Sequence, residues 1–191
     1  MARWEPNTPE RLVRAAVDLF TEQGYDATTV SQIAERAGGL TKMTFFRHFS
    51  DKREVLFAGR ERHSRLLADG IDAAPGPATP LQAVTAGLDA LTSTFTDDRR
   101  EFAGQMLAVI AGSSELRERA AFKRIGLTEA VAEALGKRGL PDLTASLAAE
   151  LGIRAFYRAY DQWADPGNQQ SLTDLTRQAL DEIRSATLQL D

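Results

Sequence analysis

Helix-capping and helix-breaking residues divide this 191-residue sequence into short stretches in which apolar residues have helical spacing. This division constrains the fold more than any other feature of the sequence. Thr8-Pro9 begins the first stretch, because a threonine hydroxyl can cap a helix whose first residue is proline. Apolar residues then recur three and four positions apart until Gly24, a natural helix stop. No stretch alternates apolar and polar residues as a strand would. The sequence therefore predicts an all-α protein with about nine helices.

The first 50 residues show the pattern of a three-helix, helix-turn-helix domain. A capping box formed by Thr29 and Gln32 starts the second helix, and Gly38-Gly39 ends it. Thr41 can cap a third helix over residues 41–49, which is too short to be stable without packing. Two short helices joined by a glycine turn form a helix-turn-helix pattern. A fourth, longer helix is predicted over residues 51–72 as a connector.

The clearest break in composition is the Pro- and Gly-rich stretch at residues 73–80. It predicts a domain boundary, with residues 1–50 as the helix-turn-helix domain and residues 73–191 as a second domain. That second domain is predicted to be a helical bundle that binds a ligand and dimerises. Its helical patterns lie near residues 80–96, 98–111, 114–138, 142–164 and 171–190.

Composition excludes several classes of function. The chain has no cysteine and only His48 and His63, which argues against disulfides and thiolate or multi-histidine metal centres. It has no apolar run near the roughly 18 residues of a membrane span, and its first residues show no signal peptide. No phosphate-binding loop, HExxH or GxSxG motif appears. We expect a cytoplasmic protein, without cofactor or metal, that is not an enzyme.

The third predicted helix carries the chemistry of a nucleic-acid contact. Phe45 and Phe49 are four positions apart and can face one core, which leaves Lys42, Met43, Thr44, Phe46, Arg47 and His48 pointing outward. Lysine, threonine and arginine reach base edges and phosphates, and Met or Phe can touch a thymine methyl group. Residues 28–53 have a net charge of +3 in a chain whose net charge is −4. The same pattern also fits a merely solvated helix face.

These stretches resemble the TetR family of transcriptional regulators. The resemblance rests on the runs 28–38, 41–49 and 51–56, and it covers about residues 8–67. It implies a homodimeric repressor that binds double-stranded DNA at a palindromic operator and is released by a small-molecule effector. The family's turn is usually one residue shorter than Ala37–Thr41 here. We therefore expect Gly38 or Gly39 to bulge, or the third helix to start slightly displaced.

The resemblance also implies roles for individual residues. Thr28, Thr29 and Lys52 would contact phosphates. Lys42, Met43 and Thr44 would face base edges in the major groove. The remaining predicted DNA-contacting residues are Thr41, Phe46, Arg47 and His48.

An aromatic stripe on the helix near 142–164 predicts either plain core or the wall of an effector pocket. The resemblance implies the pocket, for an apolar or amphipathic effector such as a fatty-acid-like molecule. The predicted lining residues are Phe95, Phe102, Met106, Ile110, Phe122, Arg154, Phe156, Tyr157, Tyr160 and Trp163.

The last predicted helix has one apolar face, which can either close the monomer core or pair across a two-fold axis. The face comprises Leu172, Leu175, Ala179, Ile183, Ala186 and Leu190. The resemblance favours pairing. A different class of function stays open, namely a helical small-molecule-binding protein or enzyme whose helix-turn-helix is unused.

Overall fold

The computed structural model describes residues 8–190, and within that range all regular secondary structure is helical, as predicted. The α-helices are α1 (Thr8–Gln23), α2 (Val30–Arg36), α3 (Lys42–His48), α4 (Arg60–Asp72), α5 (Pro80–Thr92), α6 (Arg100–Ala111), α7 (Ser114–Lys137), α8 (Asp142–Trp163) and α9 (Leu172–Thr187). None of these helices is both long enough and apolar enough to cross a bilayer. The predicted lack of a signal peptide concerns N-terminal residues that are largely outside the described range.

The chain divides into two compact units. The first unit runs up to Ala58 and also contains Gln105–Ala120, and the second contains Gly59–Gly104 and the chain from Ala121 onward. In the first, α1 packs on α2, and α2 packs on α3. In the second, α4 packs on α5, α5 on α8, and α8 on α9. Helices α6 and α7 each contribute to both units, so the packing does not follow the boundary predicted at residues 73–80, and the predicted functional domains stay a prediction.

The connector predicted as one helix over residues 51–72 is interrupted, which corrects that prediction. Asp51 Oδ1 accepts the backbone N–H groups of Arg53 at 2.8 Å and Glu54 at 3.1 Å, and a single 3-10 turn follows over Glu54–Phe57. Gly59 then has a φ of 84°, which no residue inside a right-handed helix adopts. Helix α4 consequently begins only at Arg60.

Glycines allow the helices of the second unit to approach closely. A methyl group on Gly70 of α4 would lie 2.7 Å from both the Ala86 carbonyl oxygen and the Gly87 Cα of α5. A methyl group on Gly152 of α8 would likewise overlap Val84. These contacts require glycine because real Cβ atoms do not approach neighbouring atoms so closely.

Half of the predicted apolar face of α9 is buried within the single chain. Leu172, Leu175 and Ala179 are buried in the chain, in a helix that packs on α8 and α5. The preference for pairing across a two-fold axis is therefore wrong for these three residues, because they already close the core. Ile183 is half-buried, whereas Ala186 and Leu190 are exposed.

Arg100 joins the end of α8 to the loop that follows it. Its guanidinium donates hydrogen bonds to the carbonyl oxygens of Trp163 at 3.3 Å, Asn168 at 2.6 Å and Gln170 at 3.1 Å. The same group lies 5.5 Å from the centroid of the Trp163 ring and pairs with Asp97. One arginine thus binds a carbonyl group that the end of α8 leaves without an intrahelical partner, together with two carbonyl groups of the following loop.

Candidate nucleic-acid interface

Side-chain caps fix the start of both helices of the helix-turn-helix. Thr29 Oγ1 accepts the Gln32 N–H at 3.3 Å, and Gln32 Oε1 accepts the Thr29 N–H at 2.8 Å, which completes the predicted capping box. Thr41 Oγ1 accepts the Thr44 N–H at 3.1 Å at the start of α3. Because α2 and α3 have only seven residues each, these caps and the packing below them define the helices.

Helix α3 buries one face and exposes the other. Phe45 is fully buried, and its ring centroid lies 5.5 Å from that of buried Phe49. On the opposite side, Met43 is 75% exposed and Phe46 is 47% exposed. The remaining exposed residues of the predicted contact set are Thr29, Thr41, Lys42, Arg47 and His48, and Thr44 is half-buried. The amphipathic orientation predicted for this helix is the one found.

The extra residue of the turn is accommodated by two consecutive glycines with positive φ. Gly38 has a φ of 104° and Gly39 a φ of 68°. The last helix-capping residue of α2 is Ala37. In the common glycine cap, the backbone N–H of the second residue after the capping residue donates to the carbonyl oxygen of the third residue before it. Here Leu40, one residue later, makes that bond to the Ala34 oxygen at 2.9 Å. The bulge therefore lies wholly before Thr41, and the cap of α3 is intact.

Two residues predicted to contact phosphates have other roles, which corrects both assignments. Thr28 is only 1% exposed, and its hydroxyl lies 2.8 Å from the Gly24 carbonyl oxygen, to which it donates. The Lys52 ammonium donates to the carbonyl oxygens of Tyr25 at 2.7 Å and Thr28 at 2.9 Å, and it lies 4.1 Å from the Tyr25 ring centroid. Through these hydrogen bonds, both residues stabilise the loop that follows α1.

We predict that Lys52→Met lowers the free energy of unfolding by about 2 kcal/mol, because it leaves two half-buried carbonyl groups without their charged donor. Urea denaturation of the full chain measures this change. The matched control is Lys42→Met, which removes an exposed ammonium from α3 and should change stability by less than about 0.5 kcal/mol. Equal stability of the two variants would contradict the role assigned to Lys52.

Ion pairs within the chain reduce the number of cations free to bind phosphate. Arg36 pairs with Glu22 at 2.7 Å, and Arg53 pairs with Asp51 at 2.9 Å. The Arg53 hydrogen bond, against the opposing effect of burial, lowers the pKa of the Asp51 carboxyl. By contrast, Lys42 and Arg47 form no ion pair or hydrogen bond with any residue in 8–190. Lys42 and Arg47 are therefore the two cations that α3 exposes to solvent.

The second unit brings together four of the predicted effector-binding residues. The Phe95 ring centroid lies 6.2 Å from that of Phe156, 5.8 Å from that of Tyr160 and 5.9 Å from that of Trp163. We call these four residues the aromatic cluster. Burial raises the pKa of the Tyr160 hydroxyl well above its usual range. The indole Nε1 of Trp163 is buried and has no hydrogen-bond partner among the described residues.

Other predicted effector-binding residues lie elsewhere. Arg154 and Phe122 have exposed side chains, and Met106 and Ile110 belong to the first unit. Phe102 is half-buried in the second unit. The ring centroid of Tyr157 lies 5.3 Å from that of Phe156. Arginines 60 and 124, near Tyr157, were missed, because helical spacing on α8 does not reveal which neighbouring helices supply charges.

A capped α2, a glycine turn and an α3 with a buried aromatic face and an exposed basic face define a helix-turn-helix protein. Comparison with known sequences agrees, since residues 12–58 match the family model described as bacterial regulatory proteins, TetR family. The HTH-type transcriptional regulator TcmR of Streptomyces glaucescens is 36% identical over 94 residues, which is 49% of this chain and 41% of TcmR. The chain thus spans less than half the length of this curated relative.

Solved structures of low sequence identity share the fold over nearly the whole chain. The Thermus thermophilus repressor FadR, a TetR-family protein in complex with lauroyl-CoA, is 22% identical, with a TM-score of 0.55 over 92% of this chain and 93% of its own. Bacillus subtilis FadR, in complex with stearoyl-CoA, is 20% identical, with a TM-score of 0.54 over 91% and 96%. Residues 12–58 thus match the TetR family of bacterial regulatory proteins, and solved structures share the fold of nearly the whole chain.

Proposed function

We propose that the protein is a homodimeric transcriptional repressor that binds a palindromic DNA operator and is released from it by a small-molecule effector. The observation that carries this proposal is the exposed face of α3, where Lys42 and Arg47 have no partner in the described chain. Exposed Met43 and Phe46 lie between them. Apolar side chains exposed between two cations can contact thymine methyl groups while the cations bind phosphates or base edges.

The proposed contacts divide into two kinds. Lys42 and Arg47 bind phosphates or guanine edges, and Met43 and Phe46 contact thymine methyl groups. Thr29, Thr41, Thr44 and His48 lie at the edges of this surface and add hydrogen bonds to the DNA backbone or neighbouring bases. Two copies of α3 related by a two-fold axis would read half-sites about one helical turn apart.

Selection of bound fragments from a random DNA pool, performed at two salt concentrations, tests the proposal. We expect an inverted repeat and a steep loss of affinity with salt, because each neutralised phosphate releases counterions. Binding with no sequence preference would contradict operator recognition. Absence of any binding would favour the alternative of a helical ligand-binding protein whose helix-turn-helix is unused.

We predict that Lys42→Ala and Arg47→Ala each weaken operator binding about tenfold or more, because a base or phosphate contact of this kind contributes about 1–3 kcal/mol. Fluorescence anisotropy with the selected operator measures the affinity, and sedimentation confirms that the oligomeric state is unchanged. The matched control is Arg154→Ala, which removes an exposed arginine of α8 in the other unit. Unchanged affinity in both α3 variants would exclude α3 as the reading helix.

Dimerisation and release belong to the second unit in this proposal. Leu143 and Leu147 are one turn apart on α8, and they are 72% and 57% exposed, so they offer apolar surface to a partner copy. The effector would bind beside the aromatic cluster and favour a conformation with low affinity for DNA, since only such a difference in affinity can release the operator. The acyl-CoA ligands of the two FadR structures guide the first screen. Such a repressor would act in the cytoplasm.

A further inference from the structure

Two arginines in the second unit lie beside the ring of Tyr157 without an acidic partner. Arg124 of α7 has its guanidinium carbon 5.2 Å from the Tyr157 ring centroid. Arg60 is the first residue of α4, and a methyl group on Gly126 of α7 would overlap its guanidinium, so glycine makes room for this side chain. Neither arginine forms an ion pair with any acidic residue in the described chain.

The surroundings leave this arginine pair with excess positive charge. Both side chains are half-buried, and a charge withdrawn from water is costly unless a counter-charge compensates it. Asp161 interacts with Arg124 only at longer range, and partial burial raises the pKa of its carboxyl. His63 adds no negative charge, and burial, together with Arg62, lowers its pKa. Both cations favour the ionised form of Tyr157, although burial outweighs them and raises its pKa.

The position of Arg60 adds a second argument. The first turn of a helix favours an anion and disfavours a cation, and α4 begins at Gly59 with no side-chain cap. An anion bound at Arg60 would therefore be stabilised both by the guanidinium and by the exposed N–H groups of the first turn. Two cations thus act on Tyr157, and the start of α4 has no side-chain cap, and each of these features favours an anion.

An apolar surface adjoins the arginine pair. The Tyr157 ring packs on Phe156, and Phe156 belongs to the aromatic cluster together with Phe95 and Trp163. The Trp163 Nε1 is an additional buried donor that has no partner among residues 8–190. A ligand that extends from the arginines to the cluster would meet charge at one end and aromatic rings at the other.

We propose that the effector is a hydrophobic anion whose charged group binds Arg60 and Arg124 and whose apolar body packs on the aromatic cluster. This inference rests on the effector part of the proposed function and adds the chemical class of the ligand. It replaces the exposed Arg154 of the sequence prediction with Arg124, which contacts the Tyr157 ring, and Arg60, whose charge also acts on Tyr157.

Two fluorescent probes with the same aromatic body test the inference. One is 8-anilino-1-naphthalenesulfonate, and the other is the neutral N-phenyl-1-naphthylamine, which lacks the sulfonate. We expect Arg60→Gln with Arg124→Gln to weaken binding of the sulfonate about tenfold or more, because a charge-assisted hydrogen bond is lost at each arginine. Binding of the neutral probe should stay within about twofold, which also shows that the variant is folded. Arg154→Gln should change neither affinity.

The outcomes separate the ligand class from the regulatory role. Equal losses for both probes, no loss for the sulfonate, or no binding of either probe by the unmodified protein would each overturn the inference. Dodecanoate should displace the sulfonate probe at a lower concentration than 1-dodecanol does, and equal displacement would also overturn the inference. These measurements contain no DNA, so they can succeed even if the operator selection fails, and the operator selection can succeed even if they fail.

Discussion

Phe45→Ala is expected to lower the free energy of unfolding of the helix-turn-helix by about 3–5 kcal/mol and to abolish operator binding, because it empties a fully buried aromatic site. Seven residues cannot hold α3 helical without that contact. Hydrogen exchange over residues 8–58 measures the loss, and exchange over residues 121–190 should stay near that of the unmodified chain. Uniform destabilisation of both segments would contradict the two-unit description.

The neighbouring phenylalanine supplies the control for this experiment. Phe46 is 47% exposed, so Phe46→Ala should cost less than about 1 kcal/mol in stability. It should still weaken operator binding, because the ring is proposed to contact a thymine methyl group. The two adjacent substitutions therefore separate the folding of α3 from its reading of DNA. A Phe46→Ala variant with unchanged operator affinity would remove that residue from the proposed interface.

Arg100→Met is expected to lower the free energy of unfolding by about 3 kcal/mol, since three carbonyl oxygens lose a charged donor that has little contact with water. The side chain of Arg100 is only 13% exposed, so solvent does not readily replace these bonds. Thermal unfolding followed by circular dichroism measures the change. The adjacent Arg99 is exposed, and Arg99→Met should alter stability by less than about 0.5 kcal/mol. Similar midpoints for both variants would refute the anchoring role of Arg100.

Local signals predicted the helices well because capping is local chemistry. The capping box at Thr29 and the cap at Thr41 depend only on residues within a few positions. The interruption at Gly59 was missed because a single glycine in a helical pattern is compatible with a continuing helix.

The candidate interface on α3 was predictable for the same reason, since helical spacing decides which residues share a face. Long-range partners were not predictable. Lys52 was assigned to a phosphate, but its ammonium binds carbonyl groups more than twenty positions earlier in the chain. Arg60 and Arg124 come from different helices, and only the tertiary packing brings both to Tyr157. Spacing along one helix contains no information about such neighbours.

The double-glycine turn between α2 and α3 affects how this protein can be aligned with TetR-family sequences and redesigned. An alignment anchored on Gly38 would pair every α3 position with the wrong residue of a relative that has the shorter turn, and any base preference inferred from it would be displaced by one residue. Thr41, which caps α3, is the safe anchor. A chimaera with altered operator specificity should likewise exchange the segment from Thr41 onward and leave Gly38 and Gly39 in place.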